Sequence, residues 1–273
     1  MRADLAVWTS YYIEMTPEDA VLELKKYGLK YAELSDEHGK MLMDRGEPEV
    51  IGRQFREFLV QEEFAMPQGH LWLACQICTA PDAVEELKKW LVLYDAIGVK
   101  NAVLHTDELN NEAISDEERC LRNIEKLRIL GEFIKERKLG IRICLENLGR
   151  LTVNVDVLLH LMEQLDPDCF GICLDTGHLN ITDKSNQREF ILKAGKHLKA
   201  LHIADNEGAS DQHMMPFGRG NVEIEEVVRA LREIDYQGLF NMEIPGERLA
   251  PRLIKGYKLE YIRKCYEYLM EEE

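Results

Sequence analysis

The sequence predicts an α/β protein, a single (β/α)₈ barrel that occupies residues 1–273 as one domain. Short apolar runs alternate with amphipathic helical patterns along the chain, and we count eight of each. Strict alternation is typical of parallel strands joined by crossover helices. Eight such units in about 250 residues is the usual size of this barrel. No linker, low-complexity tract or shift in composition divides the chain.

The strands are predicted where apolar runs stand between helical patterns. They cover residues 5–9, 31–34, 64–71, 101–105, 141–146, 170–175, 197–203 and 239–243. A doubly wound sheet is the alternative, but residues 8–12 lack the glycine-rich phosphate turn that usually follows its first strand.

The helices are predicted from apolar residues at helical spacing and from their start signals. Ser115 followed by Glu118 is a capping box, and Thr16-Pro17 and Ala250-Pro251 are typical helix starts. The two clearest apolar stripes are Leu121, Ile124, Leu127, Leu130 and Ile134, and Ile224, Val227, Val228, Leu231 and Ile234.

The charge balance excludes some classes of partner. The chain has 50 acidic and 34 basic residues, a formal net charge of −16. Nucleic-acid backbones and anionic membrane surfaces both need clustered Lys and Arg, so we expect neither as a partner. No segment has the pattern of a membrane span or an export signal. The isolated pair Cys75 and Cys78 predicts reduced thiols, which favours a cytoplasmic protein.

Polar side chains end the later strands. His105, Glu146, Asp175 and Glu243 each follow an apolar run, and His202 lies near the end of the seventh strand. In this barrel the chemistry is found at the carboxyl ends of the strands. Three buried carboxylates repel one another unless a cation lies between them. We therefore predict one divalent metal, Mn²⁺, Mg²⁺, Co²⁺ or Zn²⁺, bound by Glu146, Asp175, His202 and Glu243.

Four motifs make the sequence recognisable. They are LEN at 145–147, LDTGH at 174–178, HIADN at 202–206 and ME at 242–243. In order and spacing they resemble the xylose isomerase-like TIM-barrel superfamily, which joins sugar and sugar-phosphate isomerases and epimerases to endonuclease IV. The resemblance covers nearly the whole chain but does not select one activity.

The resemblance implies roles for these residues. In the ketose 3-epimerase branch, the glutamates at the Glu146 and Glu243 positions bind the metal and face opposite sides of a substrate carbon. One removes a proton and the other returns it, while the Asp175 and His202 positions complete the metal shell. Such chemistry needs a base and a Lewis acid. We therefore expect an isomerase or epimerase of a small sugar or polyhydroxy carbonyl compound that acts through an enediolate.

Further residues are expected to contact a sugar-like substrate. They are His178, His105, Asp211, His213, Arg219, Trp8, Glu33 and His70. Three of them lie in the long connection 204–221, and connections of that length are often functional. The ketose epimerase branch carries an Arg six residues after the His202 position, where this chain has Gly208.

Three alternatives stay open. A dehydratase of an inosose or a 3-dehydro acid would use the same base and metal. The endonuclease IV branch binds three zinc ions through nine ligands, and candidates for all nine are His70, His105, Glu146, Asp175, His178, His202, Asp211, His213 and Glu243. The excess of acid argues against such a DNA nuclease. A non-catalytic sugar-binding protein is the third alternative.

A homo-oligomer is possible, because the exposed helices of (β/α)₈ barrels commonly pair between copies.

Overall fold

Eight parallel strands form one sheet in the computed structural model, which describes residues 1, 3–106, 114–148, 152, 154–182 and 187–271. The strands are β1 (Leu5–Trp8), β2 (Tyr31–Leu34), β3 (Ala65–His70), β4 (Asn101–Leu104), β5 (Arg142–Glu146), β6 (Phe170–Asp175), β7 (Leu198–His202) and β8 (Phe240–Met242). Every predicted strand is confirmed, and each boundary lies within one residue of the prediction.

The sheet closes into a barrel. Its hydrogen-bonded order is β7-β6-β5-β4-β3-β2-β1-β8. The two edge strands meet through a parallel bridge between Ile203 and Met242. There the Ile203 amide donates to Asn241 O at 2.8 Å, and the Glu243 amide donates to Ile203 O at 3.1 Å. The predicted (β/α)₈ TIM barrel is therefore confirmed.

The helices lie between the strands. The described α-helices are α1 (Pro17–Lys26), α2 (Asp36–Met43), α3 (Pro48–Gln61), α4 (Ala83–Ile97), α5 (Asp116–Arg137), α6 (Val155–Gln164), α7 (Thr176–Thr182), α8 (Gln187–Ala194), α9 (Ile224–Glu233) and α10 (Arg252–Glu271). Short 3₁₀ helices cover Thr9–Tyr12 and Gly195–His197. Among these described helices, none is long and apolar enough to cross a membrane.

The strict alternation of one helix per strand is wrong at two connections, because β2–β3 carries α2 and α3 and β6–β7 carries α7 and α8. Ser35 caps α2, and Pro48 starts α3 just after Gly46. The predicted caps are confirmed, since Thr16 accepts from the Asp19 amide and Ser115 from the Glu118 amide. In α5 the predicted apolar stripe is wrong at its first position, because Leu121 is 57% exposed.

The barrel interior places the strand-end residues. Val103, Cys144, Cys173 and Ala200 form one buried cluster on β4 to β7, here called the floor layer. Side chains two positions apart on a strand point to the same face. The residues two positions further on are His105, Glu146, Asp175 and His202. All four therefore project into the same space at the carboxyl end of the barrel.

Candidate active site

Four buried residues at the mouth of the barrel each have a ligand atom without a hydrogen bond. Among the described residues, no hydrogen bond reaches Glu146 Oε1, Asp175 Oδ2, His202 Nδ1 or Glu243 Oε2. A buried polar atom left in this way costs about 1–3 kcal/mol. His202 Nδ1 lies 3.3 Å from Glu146 Oε2 and 3.1 Å from Glu243 Oε2. Ligand atoms of Asp175, His202 and Glu243 lie within 4.8 Å of one another.

This set fits a divalent cation. Three carboxylates and one imidazole are a donor set suited to Mn²⁺, Mg²⁺, Co²⁺ or Zn²⁺. One cation among the four atoms would satisfy them together and would remove the repulsion between the carboxylates. The four residues are those that the sequence predicts as metal ligands.

The three carboxylates differ in their electrostatics. Burial by itself raises the pKa of Glu146, but His202 and His105 outweigh it and hold this pKa well below the usual value. Burial likewise opposes ionisation of Glu243, and His202 brings its pKa down to about 2. Burial raises the pKa of Asp175 to about 7 against the opposing effect of His178. The neighbouring side chains therefore do not offset the cost of ionising the buried Asp175. A bound cation would offset it.

His70 and His105 form a second group with Glu146. His105 Nε2 lies 3.2 Å from Glu146 Oε2, and His70 Nε2 lies 3.5 Å from the same oxygen. The two Nε2 atoms are 3.3 Å apart. The Nδ1 of His70 contacts Leu71 O at 2.6 Å, which orients the ring. Both histidines therefore present Nε2 to the shared carboxylate.

Asp211 bridges two histidines over the mouth. Its Oδ2 lies 3.3 Å from His178 Nε2 and 3.0 Å from His213 Nε2. His213 Nδ1 contacts Glu243 O at 2.8 Å, and its ring stacks on Trp8 with centroids 6.0 Å apart. His213 has φ 45°, which is uncommon for a residue other than glycine. These contacts hold the connection between β7 and α9 against the site.

Two of the predicted contact residues do not face the mouth. Arg219 has a side chain that is 74% exposed and pairs with Glu207 at 3.1 Å. It therefore lies on the surface of the connection, and among the described residues no hydrogen bond or ion pair joins it to the cluster. Glu33 is only 1% exposed, and its Oε1 contacts His202 Nε2 at 3.0 Å. It lies on the Nε2 side of the imidazole, whereas Nδ1 of the same ring faces Glu146 and Glu243.

Sequence reasoning assigns no role to two asparagines. Asn147 joins β5 to β6, because its Oδ1 accepts from the Asp175 amide at 2.7 Å and its Nδ2 donates to Asp175 O at 3.0 Å. Asn241 donates from Nδ2 to Glu33 Oε2. Both are buried. The signal was available: each is an amide side chain in or directly after a strand, close to a predicted ligand.

Comparison with known proteins identifies the family. A family model described as the xylose isomerase-like TIM barrel matches residues 21–265. The chain belongs to this family. The resemblance noted in the sequence motifs is thereby confirmed, and the matched relatives include sugar 3-epimerases.

Three similar proteins illustrate the range of relatives. D-psicose 3-epimerase of Enterocloster bolteae is 29% identical over 135 residues, which cover 50% of this chain and 42% of that protein. The chain spans about half the length of the curated relatives it matches. A crystal structure of D-psicose 3-epimerase has TM-score 0.79 at 14% identity, covering 98% of this chain and 100% of that chain. A probable 3-DHS dehydratase from Bacillus anthracis has TM-score 0.74 at 16% identity, covering 96% and 99%. These two structural similarities concern the fold.

Proposed function

We propose that the protein is a divalent-metal-dependent isomerase or epimerase of a small sugar or polyhydroxy carbonyl compound, acting by proton transfer through an enediolate. The observation that carries the proposal is the convergence of four buried atoms of Glu146, Asp175, His202 and Glu243 that make no hydrogen bond to the described residues. Membership of the family and the similarity to a D-psicose 3-epimerase support a sugar-like substrate.

Glu146 and Glu243 are the proposed acid and base. In the barrel order, β8 and β5 are separated by β6 and β7, so the two carboxylates approach the mouth from different sides. One carboxylate oxygen takes the proton from the substrate carbon, and an oxygen of the other returns a proton to the opposite face. Both residues, with Asp175 and His202, would hold the metal. When bound, the metal supplies a Lewis acid beside the oxygen that gains negative charge.

The remaining polar residues would bind and orient the substrate. His105 and His178 flank Glu146, at 3.2 Å and 3.0 Å from its carboxylate oxygens. Their N–H groups can donate to hydroxyl groups of a polyol chain. Trp8, stacked on His213, offers a flat apolar wall at the side of Glu243.

The experiment is substrate proton exchange in deuterium oxide. Wild-type protein with Mn²⁺ is incubated with a panel of ketoses, inososes and 3-dehydro acids, and proton NMR follows loss of the proton next to the carbonyl. Glu243→Gln should abolish conversion of the substrate to product, which the same spectra follow, while the fold survives. The matched control is Glu247→Gln, an exposed carboxylate of the same connection that pairs with Lys258. Full activity of Glu243→Gln would show that the proposed mechanism is wrong.

The same assay separates the other classes. An unsaturated product formed by loss of water identifies a dehydratase. Binding of a sugar with no exchange at all identifies a non-catalytic sugar-binding protein.

A three-zinc nuclease is a second candidate, favoured by one observation. All nine candidate ligands lie in contact: His70 and His105 with Glu146, the four residues of the metal set, and His178 and His213 with Asp211. The net charge of −16 disfavours a grip on a phosphate backbone. Metal analysis together with cleavage of an abasic duplex is decisive. Three zinc ions per chain and specific cleavage would replace the isomerase proposal.

The expected homo-oligomer and the cytoplasmic location remain predictions. Helix α10 carries apolar side chains on its exposed side, and these support association of copies. They are Leu253, Ile254, Tyr257 and Tyr261. Light scattering of the purified protein measures the mass in solution.

A further inference from the structure

A buried carboxylate stands directly behind the proposed histidine ligand. Glu33 lies on β2, and its Oε1 is 3.0 Å from His202 Nε2. Its other oxygen, Oε2, accepts a hydrogen bond from Asn241 Nδ2 on β8. Both Glu33 and Asn241 are buried, so neither is placed to meet a substrate at the mouth. The Glu33 carboxylate therefore accepts from Asn241 of β8 through one oxygen and contacts His202 of β7 through the other.

This contact fixes which imidazole nitrogen carries a proton. A carboxylate accepts hydrogen bonds and has none to donate, so His202 must donate from Nε2. In a neutral imidazole the other nitrogen, Nδ1, then keeps its lone pair. Nδ1 is the atom that lies 3.1 Å from Glu243 Oε2 and 3.3 Å from Glu146 Oε2. The lone pair therefore points into the proposed metal set.

We propose that Glu33, held in place by Asn241, is a positioning residue that selects the ligating tautomer of His202 and thereby sets the metal affinity. The inference rests on the proposed metal site and deepens it. Partners of this kind behind a ligating histidine typically change metal affinity 10- to 100-fold when they are removed. Glu33 therefore acts through His202 and does not touch the reacting atoms.

Two variants separate the charge of Glu33 from its hydrogen bonds. In Glu33→Gln the amide oxygen can still accept from His202 Nε2, and the amide nitrogen can donate to Asn241 Oδ1, which makes no hydrogen bond to the described residues. We expect this variant to weaken the affinity measurably, by up to about 10-fold. Glu33→Met keeps a similar volume but has no strong acceptor, so the ring is free to exchange tautomers. We expect its affinity to fall by about 10- to 100-fold.

The matched control is Glu23→Gln. Glu23 is also a buried carboxylate, but it lies on α1 and pairs with Lys26 and Arg252. Calorimetric titration of metal-free protein with Mn²⁺ should give the wild-type affinity for this control. An order of affinity of wild type, then Glu33→Gln, then Glu33→Met supports the proposal. Wild-type affinity in both Glu33 variants would overturn it.

A second measurement keeps the inference separate from the proposed function. In ¹⁵N-edited NMR spectra the proton on His202 Nε2 should be shifted downfield and should exchange slowly in wild type, but not in Glu33→Met. If wild type binds no metal, the proposed function fails, and this proton alone tests the contact. If Glu33→Met does not fold, Glu33→Gln decides, because a loss of affinity is expected there too. An exchangeable, unshifted Nε2 proton in wild type would overturn the inference under any metal result.

Discussion

Removing the Asn147 side chain should weaken both the folded barrel and its proposed metal site. It is buried and bonds both the amide and the carbonyl of Asp175. Asn147→Ala removes a side-chain partner from each of these two buried backbone groups, at about 1–3 kcal/mol for a group that no other partner satisfies. Allowing for partial relaxation, we expect the free energy of unfolding to fall by about 2–4 kcal/mol. Urea denaturation followed by circular dichroism measures this difference.

The same change should also loosen Asp175, a proposed metal ligand. Because Asn147 fixes the backbone of Asp175 at the end of β6, we expect Mn²⁺ affinity to fall by about 10- to 100-fold. Asn154→Ala is the control, since Asn154 caps α6 by accepting from the Val157 amide. It should cost about 0.5–2 kcal/mol of stability and leave the metal affinity unchanged. A stability loss below about 1 kcal/mol in Asn147→Ala, with wild-type affinity, would refute the reasoning.

Four further predictions concern metal binding, pH, an exposed ion pair and packing. Mn²⁺ at 100 times its dissociation constant should stabilise wild type by about 2.7 kcal/mol but leave Asp175→Ala almost unchanged, as read from thermal melts with and without the ion. Burial raises the pKa of Asp175 to about 7. Below that pH the carboxyl group carries a proton that the metal must displace. The Mn²⁺ affinity should therefore reach its highest value well above pH 7 and fall as the pH drops through 7. A constant affinity in calorimetry across pH 6 to 8 would contradict this. Arg219→Ala should change stability by less than about 1 kcal/mol and spare metal binding, because its side chain is 74% exposed and its ion pair with Glu207 lies at the surface. Gly220→Ala should destabilise by about 1–3 kcal/mol in urea titrations, because its Cβ would lie 2.2 Å from the carboxylate of Asp205; a neutral result would mean that Asp205 can move away.

The fold was predictable because the apolar runs and helical stripes of this chain follow their periods closely. Strands β2 and β6 match the predicted residues throughout, and the capping signals at Thr16 and Ser115 mark real helix starts. The extra helix α2 was not anticipated. It is only 8 residues long, and so short a stretch has too little periodicity to distinguish it from a loop.

The convergence of Glu146, Asp175, His202 and Glu243 was predictable because each ends, or directly follows, an apolar strand of one barrel, and such strand ends meet at its mouth. The contact between Glu33 and His202 was not predictable. Its partner His202 lies 169 positions away along the chain, and only the closed barrel brings the two together.

The floor layer has a consequence for how this chain can vary in length. The proposed metal ligands on β5, β6 and β7 stand two residues beyond Cys144, Cys173 and Ala200. Because the faces of a strand alternate at every residue, one inserted or deleted residue between the layers would turn a ligand outward. A substitution in the floor layer therefore leaves the proposed ligands on the inner face, whereas a change of length removes one of them at once. We therefore expect an inserted residue to be tolerated in the connections and not between the two layers of these strands.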